Sequence, residues 1–252
     1  MLIDVHNHAN LYMNLNQILE EAYANEVEKI IGVSMSKISL ERIMEISNYY
    51  DEIYPALGIH PEEVAMNENI EGELNSVIDY IRENEKKIVA IGEIGLDHHF
   101  VKDKELYPLQ EKIFISMLEL AQELKLPVNL HTKGAEQEIF NILPSYDIPD
   151  VNIHWFSGPE KFLDIGIERG YYFSITPAIS YSPAVKKIVS KVTKDQLLLE
   201  SDGPVKYHGE VGTPAMIRSV LTKVAQLKEV DSKQLEAQIE ENTKRIFPKL
   251  FD

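Results

Sequence analysis

Short apolar runs alternate with longer amphipathic stretches along the whole chain. β-Rich runs fall at Leu2–His6, Lys29–Ser34, Ile53–Ile59, Ile88–Gly92, Pro127–His131, Val151–His154, Tyr171–Ile175 and Gln196–Glu200. The stretches between and after them predict helices at Asn14–Asn25, Leu40–Tyr50, Glu73–Glu83, Glu105–Lys125, Ala135–Leu143, Pro159–Glu168, Ser182–Lys191 and Pro214–Leu227. The longest has apolar residues at 106, 109, 113, 117, 120, 121 and 124, the spacing of one helix face. Ser232–Ile246 reads as one extra helix. Strands that alternate with helices build parallel sheets, because a parallel pair needs a crossover. Eight such units in 252 residues predict an α/β protein, a single (β/α)8 TIM-type barrel with an extra C-terminal helix. No glycine-rich phosphate fingerprint follows the first strand, which argues against a dinucleotide-binding fold. No linker or composition break interrupts the rhythm, so residues 1–252 read as one domain.

Charge and cysteine usage narrow the chemistry. Lys plus Arg is 25 against 41 Asp plus Glu, a formal charge of −16. That balance disfavours non-specific binding to nucleic acid or anionic lipid but leaves a small anionic substrate open. The chain has no cysteine, so disulfides, thiolate zinc sites, iron–sulfur clusters and cysteine nucleophiles are excluded together. Any metal must be held by His, Asp and Glu. No apolar run of about 18 residues is present, and the N-terminus lacks a basic region followed by an apolar one. A cytoplasmic protein with no membrane partner is the expectation.

In a barrel of this kind the active site lies at the C-terminal strand ends. Five of the eight histidines fall there: His6 and His8, His60, His131 and His154. Glu93 and Asp202 join them. His6 and His8 are two apart on a strand, so both face one side and could bind one cation. Asp4 shares their parity and is a candidate acceptor behind them. Glu93 can bridge two cations, and His131 and His154 are candidates for the second. Asp202 can bind metal and take a proton from attacking water, although Asp-Gly-Pro is also a good turn sequence. His98, His99 and His208 fit loop surface as well as substrate contact, and Trp155 and Phe156 fit packing at the barrel rim.

The ordered set of motifs resembles the TatD-type metal-dependent hydrolases, within the amidohydrolase-like barrels. It comprises DVHNH at 4–8, GIHPE at 58–62, GEIGLD at 92–97, LQEKIF at 109–114, LPVNLHTK at 126–133, HWFSG at 154–158, LLLESDGP at 197–204 and ENTKRIF at 241–247. The resemblance implies two divalent metal ions, drawn from Zn, Mn, Mg or Ni. One would be held by His6, His8, Glu93 and Asp202, the other by Glu93, His131 and His154. It implies a metal-bound hydroxide as attacking group, with Asp202 and Glu93 as catalytic residues, and His60 and Lys133 on substrate. The implied activity is a phosphodiesterase or DNase of 3′→5′ exonuclease type, acting on a nucleic-acid end or a small phosphoester.

The chain departs from the family at several places. Asn10 stands where an Asp is usual, and Thr132-Lys133 replaces Ser-Arg. Lys keeps the charge but loses the planar fork that grips phosphate. From Glu62 to Glu85 there are eight acidic residues and one basic one, Arg82, which predicts an acidic barrel mouth or a solvated helix face. The alternative to a phosphodiesterase is therefore an ester or amide hydrolase on the same two-metal site, for example one acting on an aminoacyl ester. A non-catalytic binding protein is the third class.

Overall fold

The structure, a computed structural model, describes residues 1–252. Eight parallel strands hydrogen-bond in chain order. They are β1 (Leu2–Asn7), β2 (Val27–Val33), β3 (Ile53–Leu57), β4 (Ala90–Asp97), β5 (Val128–Lys133), β6 (Val151–Ile153), β7 (Tyr172–Ile175) and β8 (Leu197–Leu199). The end of β8 meets β1 through the Asp202 N–H on the His6 carbonyl at 3.0 Å and the His8 N–H on the Gly203 carbonyl at 2.8 Å. Eight helices surround the sheet, the first seven as crossovers: α1 (Leu15–Ala24), α2 (Lys37–Tyr49), α4 (Ile70–Glu83), α5 (Tyr107–Leu124), α6 (Glu136–Ile142), α7 (Glu160–Glu168), α8 (Pro183–Lys191) and, after β8, α9 (Ile217–Lys228). The short α3 (Glu63–Met66) precedes α4, and α10 (Ser232–Ile246) is the extra C-terminal helix. The expected (β/α)8 architecture is the one observed, and no helix is long and apolar enough to cross a membrane.

Two apolar clusters hold this frame. One joins 58 buried residues, largely the outward strand residues and the inner faces of the helices. The other has 12, and brings Ile3, Val5, Val33, Ala56, Ala90 and Leu198 from different strands together with Ile246, Phe247 and Leu250. Residues of so many strands can meet only inside the barrel, so the segment after α10 plugs the interior. Burying side chains of this size contributes about 1.5–3 kcal/mol each, which makes the floor beneath the strand ends rigid.

The largest difference from the sequence pattern is β4. Its periodicity stops at Gly92, yet the strand runs on to Asp97, pairing Ile94 through Asp97 with Leu130 through Lys133. Gly95 permits this: at φ 148° a Cβ would lie 2.0 Å from the His131 carbonyl oxygen. A register shift between Ile91 and Ile94 accompanies the extension. The antiparallel pair β9 (Lys206–Tyr207) and β10 (Glu210–Val211), in the loop after β8, is also beyond the apolar pattern, being two residues per strand.

Candidate active site

The strand ends converge on Glu93, which is 1% exposed. Its Oε2 lies 3.3 Å from His6 Nε2 and 3.6 Å from His8 Nε2. Asp202 Oδ1 stands 3.6 Å from the same His6 atom and 3.4 Å from the same His8 atom. A tetrahedral ion with bonds of about 2.0–2.2 Å has donor–donor edges of about 3.3–3.6 Å. Each of the two nitrogens therefore has metal-ligand spacing to both carboxylate oxygens; His6, His8 and Glu93 form one set of donors within 4.8 Å of one another, and His6, His154 and Asp202 another. The other oxygen, Glu93 Oε1, faces His131 Nδ1 at 2.9 Å, His154 Nε2 at 3.3 Å and His60 Nε2 at 3.3 Å.

Hydrogen bonds behind the imidazoles decide which nitrogen each presents. Asn129 donates through Nδ2 to the Val5 carbonyl, so its Oδ1 must accept from His6 Nδ1, 3.0 Å away. His6 Nε2 is left buried with no hydrogen-bond partner. Asp97 Oδ2 accepts from His131 Nε2 at 2.7 Å, and His131 Nδ1 faces Glu93 Oε1, to which it is hydrogen-bonded at 2.9 Å in the metal-free protein. Glu200 Oε1 accepts from His154 Nδ1 at 3.2 Å and from the Trp155 N–H at 2.8 Å. Nε2 of His6, Nδ1 of His131 and Nε2 of His154 thus face the centre, where a cation that displaces the protons would find their lone pairs. A buried polar nitrogen without a partner costs about 1–3 kcal/mol unless something occupies the position, so the residues present fit a bound metal.

His60 is different. Its Nδ1 accepts the Glu62 N–H at 3.2 Å, so its Nε2 carries the proton and points an N–H into the centre. It lies within 4.8 Å of donors on Glu93 and His131, yet it offers a hydrogen where a metal needs a lone pair.

The charges follow from this packing. Burial pushes the Glu93 carboxyl up, but His60, His6 and His154 beside it hold it well below the usual range. Burial opposes protonation of His6, and the adjacent Glu93 carboxylate overcomes it, raising the pKa to about 10. For His131 burial is outweighed by the bonds to Asp97 and Glu93, giving about 9. Burial and the neighbouring His6 keep His154 well below its ordinary value. Burial raises Glu200 to about 7, against its bond from Ser174 Oγ at 2.5 Å.

Above the cluster opens a cavity of about 410 Å³, lined by His8, His60, Glu93, His131, His154 and Asp202 at its base. Met35, Phe100, Trp155 and Val205 form apolar parts of the wall, with Lys133 and Glu62 among them. Lys133 Nζ donates to Ser157 Oγ at 2.8 Å and sits 5.3 Å from the centre of the Trp155 ring. Burial lowers its pKa. Every residue expected at the site lines this cavity except His6, which lies fully buried among the same donors.

Three outer partners, Asn129, Asp97 and Glu200, were not expected as site residues. Asp97 and Glu200 did stand in the strand-end motifs, four and two residues from the candidate ligands Glu93 and Asp202, and that was their only signal. Asp4, expected as an acceptor behind the imidazoles, is a fully buried acceptor but takes no imidazole N–H. A register shift between Asp4 and Asn7 breaks the alternation. Asp4 instead accepts from the Ser201 N–H at 2.8 Å and Ser201 Oγ at 2.5 Å, which anchors the residue before Asp202. Trp155, expected to be packing, also faces the cavity. His98 stacks on Tyr107 at 3.6 Å and His208 packs on Tyr181, both away from the cavity lining.

Histidine and carboxylate donors gathered at the C-terminal ends of eight parallel strands define a metal-dependent hydrolase of the barrel class. Comparison with known proteins narrows this further. Residues 3–248 match the family described as TatD related DNase, and the chain belongs to that family. It is 30% identical to "Uncharacterized metal-dependent hydrolase YabD" of Bacillus subtilis, over 98% of this chain and 99% of that protein. It is 28% identical to "Deoxyribonuclease TATDN3" of Homo sapiens, over 99% and 95% of the two chains. The crystal structure of YJJV, a TATD homolog from Escherichia coli, superposes with a TM-score of 0.90 at 24% identity and covers 98% of both chains. That likeness supports the fold.

Proposed function

We propose that this hydrolase cleaves phosphodiesters at the end of a nucleic-acid strand, as a 3′→5′ exonuclease-like DNase. The observation that carries the reading is Glu93 standing between two groups of donors, one on each carboxylate oxygen. His6, His8, Glu93 and Asp202 would hold one divalent cation, and Glu93, His131 and His154 a second. When bound, such a pair supplies Lewis acidity toward a phosphoryl oxygen and toward water. Asp202, whose Oδ1 is at the cavity base, accepts the proton of the attacking water. Its own position is set by the Ser201 clamp and by its N–H on the His6 carbonyl. His60 donates its Nε2 hydrogen to a phosphoryl oxygen, and Lys133 pairs with the phosphate charge from the wall. Phe100 and Trp155 shield the reacting group from bulk water and offer an apolar face to the rest of the substrate.

The relative named as a deoxyribonuclease adds to this reading. The single lysine in the cavity wall favours the ester or amide alternative, because a neutral substrate needs no further cation. The test is digestion of a 3′-labelled single-stranded oligonucleotide by chelator-treated protein, with magnesium, manganese, nickel or zinc restored in turn. Stepwise shortening that needs metal, and that Asp202→Asn abolishes, is the expected result. No shortening by folded, metal-loaded protein would sink the exonuclease reading and leave carboxylic esters and amides.

A further inference from the structure

None of the five arginines of the chain lines the cavity. Arg42 pairs with Glu45 at 2.9 Å, Arg82 with Glu123 at 2.7 Å, and Arg218 with Glu26 at 2.6 Å and Glu236 at 2.7 Å. Arg169, at the end of α7, donates to the Phe140 carbonyl at 2.8 Å, and Arg245 lies in α10. None stands in a loop that follows a strand. Lys133 is the one lysine or arginine in the lining. Lys37, Lys102, Lys104, Lys161 and Lys206 lie on the same side of the barrel without reaching it. The neighbouring loop after β3 carries Glu62, Glu63 and Glu68.

A site that tracks a strand needs a row of cations along the backbone, with faces for successive bases. Here one ammonium sits beside one indole. The cavity, at about 410 Å³, is near the lower end of the range of about 300–1,000 Å³ for small-molecule sites. The rest of its wall is Met35, Phe100, Trp155 and Val205, which offer contact area and no charge. We propose that the cavity recognises a single phosphoester bearing one planar or apolar group. It reads the terminal nucleotide unit and makes no phosphate contacts along the strand behind it. This rests on the phosphoesterase reading above and names the part of the substrate that the site grips.

Each phosphate contact on a single strand contributes a slope of about −0.7 in log affinity against log salt. One contact therefore loses about 2.6-fold in affinity for a fourfold rise in salt, and four contacts about 50-fold. The test uses the full metal-loaded chain at about 50 and 200 mM salt. The substrates are thymidine dinucleotide, with one phosphodiester, and a long thymidine strand. The expected result is a kcat/KM per strand end within about threefold for the two, and a loss of about threefold or less across the salt range. Trp155 is the one tryptophan, so its emission reports cavity occupancy directly. Titration with thymidine monophosphate should show the same shallow salt dependence. A strand favoured by an order of magnitude or more, with a fall of tens of fold in salt, overturns the proposal and leaves the phosphoesterase reading standing. No turnover of either substrate, nor of bis(p-nitrophenyl) phosphate, overturns both.

Discussion

Asp97→Asn changes one atom and reverses the role of a candidate ligand. Asp97 Oδ1 accepts from the His99 N–H at 2.8 Å and the Phe100 N–H at 2.6 Å. Those two donors fix an oxygen at that position, so the new amide must turn its NH2 toward His131. The Nε2 atom of His131, now 2.7 Å from Asp97 Oδ2, would meet a donor where it had an acceptor. The neutral ring then keeps its proton on Nδ1, and an N–H stands where a metal would need the lone pair. Loss of such an outer partner lowers metal affinity about 10–100-fold, which is about 1.4–2.7 kcal/mol. The metal-free protein loses a hydrogen bond to a charged group as well, worth about 1.5–3 kcal/mol. Competition against a chromophoric chelator measures the affinity. Long-range 1H–15N spectra of the imidazoles read the tautomer. Wild-type affinity for both ions, with His131 still protonated at Nε2, would refute the reasoning.

Three further outcomes follow from the same geometry. Gly95→Ala puts a Cβ 2.0 Å from the His131 carbonyl at φ 148°, and should destabilise by ~3 kcal/mol or more in urea unfolding. Chelator-treated protein should lose thermal stability as pH rises. His6 and His131 have folded pKa values of about 10 and about 9, above the unfolded 6.5. Their contribution is therefore fully present below 6.5 and is lost as pH climbs through those values, and melting curves across that window should show the fall. Metal-loaded protein should not show it, because ions replace the protons. Lys133→Met should raise KM for a phosphodiester with kcat little changed, since a wall cation that touches substrate throughout gives uniform binding. Steady-state kinetics on the dinucleotide separate the two constants.

The sequence carried the barrel because its apolar rhythm is local. Eight alternating runs can be counted without knowing any long-range contact, and the extra helix Ser232–Ile246 is seen at the expected boundaries. It carried His6, His8, His60, His131, His154, Glu93 and Asp202 because each is a polar residue closing an apolar run. What lay hidden depends on contacts across the barrel. Asn129 and Asn152 sit mid-strand, where a polar side chain in an apolar run gives no hint of its partner. In the fold, Asn152 Nδ2 donates to Asn129 Oδ1 at 3.2 Å and to Ser174 Oγ at 3.0 Å, and Ser174 reaches Glu200. That chain of bonds runs from His6 to His154 beneath the site, and period-two reasoning has no access to it. Asp4 was given the wrong partner for a related reason, since one register shift cancels the parity from which that partner was inferred.

In the proposed hydrolytic site Glu93 would stand between two cations, one on each carboxylate oxygen. Crystals of the protein loaded with manganese or zinc, measured at the absorption edge of the metal, test it most directly. Two anomalous peaks are expected, one among His6, His8, Asp202 and Glu93 Oε2, the other among His131, His154 and Glu93 Oε1. A single peak that does not touch Glu93, or none in protein that remains folded, would contradict it.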